Sequence, residues 1–200
     1  SPNGVVLGTL TSTGKLDVTA SGNLALNGPV NVRSLDLGST GGNISQGASS
    51  SLVVTHGATD LKANGSITLD KANDFNGTVN VLGGTDVTLK DANALTLGNV
   101  TATGKLDATA GGNLAVNGAV NVRSLDLEST GGSITQGASS TLVVTHGDSE
   151  LKASGGITLG AVSAAGKLDA LAGGDIALDG AVHVDSLRLE STGGGITQGA

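Results

Sequence analysis

The stretch LALNGPVNVRSLDL, residues 24–37, holds three apolar-x-apolar triplets: Leu24-Ala25-Leu26, Val30-Asn31-Val32 and Leu35-Asp36-Leu37. Asn27-Gly28 and Arg33-Ser34 separate them. Alternation with a period of two is the mark of a strand that buries one face. Three such strands packed so closely leave room only for tight corners. The stretch therefore reads as three sides of one small coil, with aliphatic side chains inward and small or polar ones outward.

The coil recurs along the chain. The first apolar residue of each leading triplet falls at Val5, Leu24, Ile44, Ile67, Leu95, Leu114, Ile134, Ile157, Ile176 and Ile196, with spacings of 19, 20, 23, 28, then 19, 20, 23, then 19, 20. A larger repeat is superposed on it. Residues 7–69 match residues 97–159 at 47 of 63 positions, and Gly14-Lys15-Leu16-Asp17 returns at 104–107 and 166–169, at offsets of 90 and 62. The offsets differ by 28, the length of the fourth coil, which the second block omits. Loss of such a piece from a sandwich would shift the register of everything after it. In a solenoid each turn touches only its neighbours, so the flanking turns close up.

The expected fold is all-β: a right-handed parallel β-helix of about nine coils of 19–28 residues, three short strands per coil. Residues 1–200 form a single array with blocks 5–94, 95–156 and 157–200. A left-handed β-helix would keep a strict period of about 18 residues. Gly and β-branched residues with no 3.6-residue period exclude a helical array. At about 4.8 Å per coil, nine coils make a rod of roughly 43 Å. The longest coil is expected to be one extended turn, with sides Ile67-Thr68-Leu69, Val79-Asn80-Val81 and Val87-Thr88-Leu89.

Composition fits thin columns. The 200 residues include 34 Gly and one Phe, with no Trp, Tyr, Cys or Met, and 38% are hydrophobic. The formal net charge of −7 and the lack of aromatics exclude nucleic acid as a partner, because phosphate binding needs a basic patch. No apolar run approaches the length of a membrane-spanning helix, so membrane insertion is not expected. Absence of Cys excludes a disulfide framework and thiolate metal sites.

Outward positions should form columns. The first strand gives Val6, Ala25, Ser45, Thr68, Thr96, Ala115, Thr135, Thr158, Ala177 and Thr197; the third gives Asp17, Asp36, Lys62, Thr88, Asp107, Asp126, Lys152, Asp169 and Arg188. Arg33 and Asp36 recur as Arg123 and Asp126, then with exchanged signs as Asp185 and Arg188. That swap predicts an ion pair across the bend between second and third strands.

Candidate chemistry is sparse. His56 and His146 occupy equivalent places in Thr-His-Gly corners four coils apart, roughly 19 Å, too far to share a metal, and His183 lies on another strand. Gly-Lys lacks the flanking Gly and Ser/Thr of a phosphate loop. Gly147-Asp148-Ser149-Glu150 resembles a nucleophile motif, but the duplicate coil reads Gly57-Ala58-Thr59-Asp60 and points to a turn. The adjacent acids Asp17 and Asp36, or Asp107 and Asp126, read as solvated charges relieved by Lys15 and Lys105. Asn43, Asn64, Asn76 and Asn99 match the N-glycosylation pattern, and Asn27-Gly28 and Asn117-Gly118 read as turns with positive φ. No catalytic, cofactor-binding or metal residue is assigned, and no enzyme activity is expected.

The runs KANDFNGTVNV (71–81), DANALTLG (91–98), AGGNLAV (110–116) and SITQG (133–137) resemble the repeat regions of bacterial filamentous-haemagglutinin-like exoproteins. The resemblance covers essentially the whole chain. It implies a right-handed β-helical shaft, exported through an outer-membrane secretion partner, in a protein acting in adhesion, biofilm or contact-dependent competition. The chain is then expected to be a fragment of a longer shaft at the cell surface, a non-catalytic spacer holding a distal domain and facing a host or bacterial surface receptor. Open coil ends would allow end-to-end self-association. The alternative is a direct adhesive module whose outward face binds glycan or ice; a polysaccharide lyase lacks a convincing acid, base or groove.

Overall fold

A computed structural model describes residues 4–199. They form a parallel β-solenoid of 25 strands in which every pairing is parallel and joins one turn to the next. No helix among these residues is long and apolar enough to cross a membrane. The residues of the opening triplets behave as their alternation requires. Leu24, Leu26, Val30, Val32, Leu35 and Leu37 are fully buried, while Asn31 is exposed and Ala25 and Asp36 are half-buried. Each inward Leu contributes about 1.5–3 kcal/mol by leaving water. Stacked over successive turns they form one continuous aliphatic core, reaching from Ala20 to Leu178.

Pairing counts the turns directly. One line of inward residues runs Val5, Leu24, Ile44, Ile67, Val87, Leu106, Leu125, Ser149, Leu168, Leu187, each paired with the next. These ten residues bound nine complete turns of 19 to 24 residues, and a tenth turn begins at Leu187.

This line corrects the expected layout in one respect. Ile67 stacks on Val87, not on Leu95. The 28-residue coil is therefore one turn and one further side. Its extra side is Asp74-Phe75, which pairs with Val53-Val54 and buries the chain's lone aromatic. The strand Thr78–Gly83 then carries two lines upward: Thr78 and Val79 pair with Thr96 and Leu97, and Val81 pairs with Val100. Beyond this point every strand type has moved by one side. Lys15–Ala20 and Ser34–Ser39 stack on the line of Leu16 and Leu35, whereas their counterparts Lys105–Ala110 and Ser124–Ser129 stack on the line of Val5 and Ile67. A 90-residue offset thus advances the chain by four turns and a third. The 62-residue offset is three whole turns, since Leu114, Ile134, Ile157 and Ile176 share one line.

The outward columns shift with it. Thr68 continues to Thr88 and then Asp107, and Thr96 stands on Thr78. Asp60 and Glu150, not Lys62 and Lys152, follow Asp36 and Asp126.

Corners are closed by side chains. Asn23 Oδ1 accepts the Asn43 N–H at 2.9 Å, and Asn43 Oδ1 accepts the Ser66 N–H at 2.8 Å. Asn113 does the same for Ser133, Asp175 for Gly195, and Asp86 and Asp148 for Lys105 and Lys167. A corner cannot offer the next turn a full strand ladder, and these short side chains supply the missing acceptors. The Asn-Gly corners do not use positive φ, which among the described residues occurs only at Gly4. Gly28 is needed for proximity instead: a Cβ there would lie 2.5 Å from the Thr9 nitrogen and 2.7 Å from the Gly8 carbonyl carbon.

Candidate functional site

Two arrangements of polar residues stand apart from the repeat. The first lies where the strand types change sides. Asn73 and Asp91 are paired in register and almost wholly buried, at 0% and 1% exposure. Asn73 Oδ1 accepts from the Leu52 N–H at 3.0 Å and from Gln46 Nε2 at 2.8 Å. Its two Nδ2 hydrogens are shared among the Leu69 and Lys90 carbonyls and Gln46 Oε1, at 3.1, 3.1 and 3.0 Å. Asp91 accepts the Phe75 N–H at 2.9 Å and the Asn93 N–H at 2.7 Å. Backbone groups that lose their ladder partners at the shift are thereby satisfied by two side chains. Burial holds the Asp91 carboxyl above the usual carboxylate range, against the pull of the two backbone N–H groups.

Gln46 has a counterpart at Gln136, where no 28-residue coil follows. There Nε2 donates to the Ser140 and Ala161 carbonyls at 3.2 and 2.8 Å, and Oε1 accepts the Gly160 N–H at 3.1 Å. The same residue serves both junctions with different partners.

The second arrangement is a charged ladder on the long strands. Asp17 stacks on Asp36, and Lys15 Nζ bridges them at 3.6 and 3.0 Å. Lys105 bridges Asp107 and Asp126 at 3.4 and 3.1 Å. In the third copy Lys167 and Arg188 both reach Asp169, at 2.6 and 2.8 Å, and Arg188 also pairs with Glu190. Hydrogen bonds to Asp36 raise Lys15 above the usual lysine range, and those from Lys167 and Arg188 lower Asp169 below the usual carboxylate range. The ion pair expected across the bend is absent: Asp36 and Asp126 pair with the preceding turn's lysine, and among the described residues neither Arg33 nor Arg123 reaches a carboxylate. Parallel stacking puts the previous turn closer to an outward side chain than its own corner. The exchanged signs at 185 and 188 instead follow Arg188, which takes the stacked position above Asp169.

Other candidates do not converge. His56 and His146 sit in equivalent corners, their N–H groups bonded to Arg33 and Arg123 carbonyls. The shift places them on different corners of the solenoid, not on one face, and among the described residues no three His, Asp or Glu gather as a metal site. Asn43 and Asn99 of the glycosylation patterns are corner acceptors, Asn99 Oδ1 taking the Ala119 N–H at 3.1 Å. Two equivalent surface grooves, of about 320 and 310 Å³, run beside Lys62 and Lys152. Gly38 and the exposed Leu82, which bulges between Val81 and Gly83, are among the residues that line the first. Sequence reading missed Asn73 and Asp91 as structural centres. The signal available was Phe75, an aromatic in a coil otherwise built of small aliphatics.

Comparison with curated proteins and with solved structures gives no match. A family model of repeats does match, over residues 25–82, 84–135, 117–162 and 147–198. The overlapping segments span nearly the whole solenoid, and the chain belongs to the family described as Repeats of unknown function (DUF5649).

Proposed function

We propose that the chain is a non-catalytic shaft segment of an exported bacterial surface exoprotein, a rigid spacer that carries a distal domain away from the cell. The observation that carries this reading is the continuous core from Ala20 to Leu178 under parallel turn-on-turn pairing, from which a whole piece of the repeat is omitted once without interruption of the ladder. A spacer needs length and stiffness, and both come from strand stacking alone. The runs at 71–81 and 91–98 support export through an outer-membrane partner, because they resemble the repeats of secreted exoproteins. Asn73, Asp91 and Gln136 satisfy backbone groups, and the ladder lysines and aspartates satisfy one another, which suits a scaffold.

The test is additive. Inserting one extra copy of residues 95–156 should lengthen the rod by three turns, about 14 Å in small-angle scattering. The purified chain should show no saturable binding on a glycan array and no thermal hysteresis. Saturable glycan binding lost on replacing Thr135 and Thr158 by bulky residues would move the function to the adhesive reading.

A further inference from the structure

We infer that residues 67–94 are a removable rotation element that sets which side of the solenoid displays the charged ladder. Ahead of it, Lys15, Asp17 and Asp36 lie on the side of Leu16 and Leu35. After it, Lys105, Asp107, Asp126, Glu150, Asp169 and Arg188 lie on the side of Val5 and Ile67. The sequence repeats and its outward face does not return to the same place.

The chain already contains the junction that remains when the element is absent. Ile157 pairs with Ile134 as Ile67 pairs with Ile44. The strand from Ile157 then leads into Ala161–Ala172, as Leu95–Thr101 leads into Lys105–Ala110. One strand at 157–159 thus takes the place of both 67–69 and 95–97. Joining Ser66 to Leu95 would reproduce this arrangement, with Gln46 released from Asn73 and free to bond as Gln136 does. The element is also self-contained in its cost. The backbone groups unpaired by the change of side are met by Asn73 and Asp91, both within residues 67–94, so they leave together with the need for them.

A partner that reads one side of the rod therefore meets the ladder along one segment only. Each 90-residue unit moves it on by one side and each 62-residue unit holds it in line. This follows from pairing alone and does not depend on the shaft reading.

The chain has no cysteine, so introduced pairs can be spin-labelled specifically. Asn121 and His183 are exposed and share one line through Val143 and Ser163, three turns apart, about 14 Å between backbones. Asn31 is the counterpart of Asn121 at an offset of 90. In the full chain, labels at N31C and N121C should be farther apart than labels at N121C and H183C, by about 6 Å along the axis plus the change of side. In a chain lacking residues 67–94 the two distances should coincide. Inserting a second copy of 67–94 before Ile157 should lengthen the N121C to H183C distance in turn. Equal distances in the full chain, an unchanged N31C to N121C distance after deletion, or a deletion chain without cooperative unfolding would each overturn the inference.

Discussion

Asn73 lies beside Asp91 in adjacent strands, and the two side chains serve five backbone groups that the change of side leaves without strand partners: Leu52 N–H, Leu69 C=O, Lys90 C=O, Phe75 N–H and Asn93 N–H. A solenoid otherwise satisfies its backbone turn on turn. Here the polarity has to be supplied from inside the core, by an amide where both donors and acceptors are orphaned and by a carboxylate where only donors are.

Asp91 should consequently be less replaceable by Asn than its size suggests. An amide nitrogen cannot accept, so D91N leaves either the Phe75 or the Asn93 N–H without a partner, at about 1–3 kcal/mol, and D91A leaves both. The pH response separates the charge from the hydrogen bonds. Burial raises the folded-state pKa of Asp91, so its ionised form is penalised at neutral pH and the penalty is relieved as pH falls through that pKa. Asp169, lowered by Lys167 and Arg188, acts oppositely: its stabilisation is present above the ordinary carboxylate pKa and is lost as pH falls toward its folded value. Urea unfolding between pH 7 and 3 should show a steeper acid loss of stability in D91N than in the parent. Parallel curves would remove the buried charge from the account.

Thr59 and Ser149 are equivalent inward residues, each about 1% exposed, whose hydroxyls bond to no described residue. Thr59 stacks on Leu35 and Val79, and Ser149 on Leu125 and Leu168. T59V keeps the shape and removes a polar group from an aliphatic column, so the denaturation midpoint should rise by the equivalent of about 1 kcal/mol. A fall would mean that the hydroxyl has a partner of its own.

The charged ladder should couple between turns and not across a bend. A double-mutant cycle on Lys15 and Asp36, which lie 3.0 Å apart, should give a measurable interaction that fades at high salt, and a cycle on Arg33 and Asp36 should give none. Both groups of the first pair are substantially exposed, so the effect on global stability is small. Coupling in the second cycle with none in the first would restore the bend pairing.

Most of the fold is legible in residues 24–37 because a period of two and a tight corner leave few alternatives. The inward aliphatic side chains of this stretch follow from alternation alone, and Leu35 is fully buried. What alternation cannot reveal is which side a strand occupies, since the triplet at 87–89 looks the same whether it closes one long turn or opens the next. That distinction rests on Phe75, whose single inward side chain makes a short fourth side without any triplet. The ion pairs are hidden for a related reason: an outward side chain lies closer to the residue one turn away than to its chain neighbour across a corner, and sequence proximity conceals this.

Glycine at the Asn-Gly corners offers the sharpest contrast between two explanations of one residue. If Gly28 were retained for positive φ, alanine would be strained by its own backbone; the backbone there is not in that region. The obstacle is the turn below, whose Thr9 nitrogen would stand 2.5 Å from the new methyl group. The same contact recurs at both other copies, Gly118 above Gly98 and Asn99, and Gly180 above Gly160 and Ala161. Gly8 differs, since a Cβ there meets nothing within 4 Å. G28A should therefore lower stability by about 1–3 kcal/mol through overpacking against backbone that cannot move aside. G8A should be neutral or raise stability by roughly 0.5 kcal/mol, because it only restricts the unfolded chain. Chemical denaturation of the two variants decides between the explanations: equal losses would point to backbone conformation, and a loss confined to G28A to the spacing of the turns.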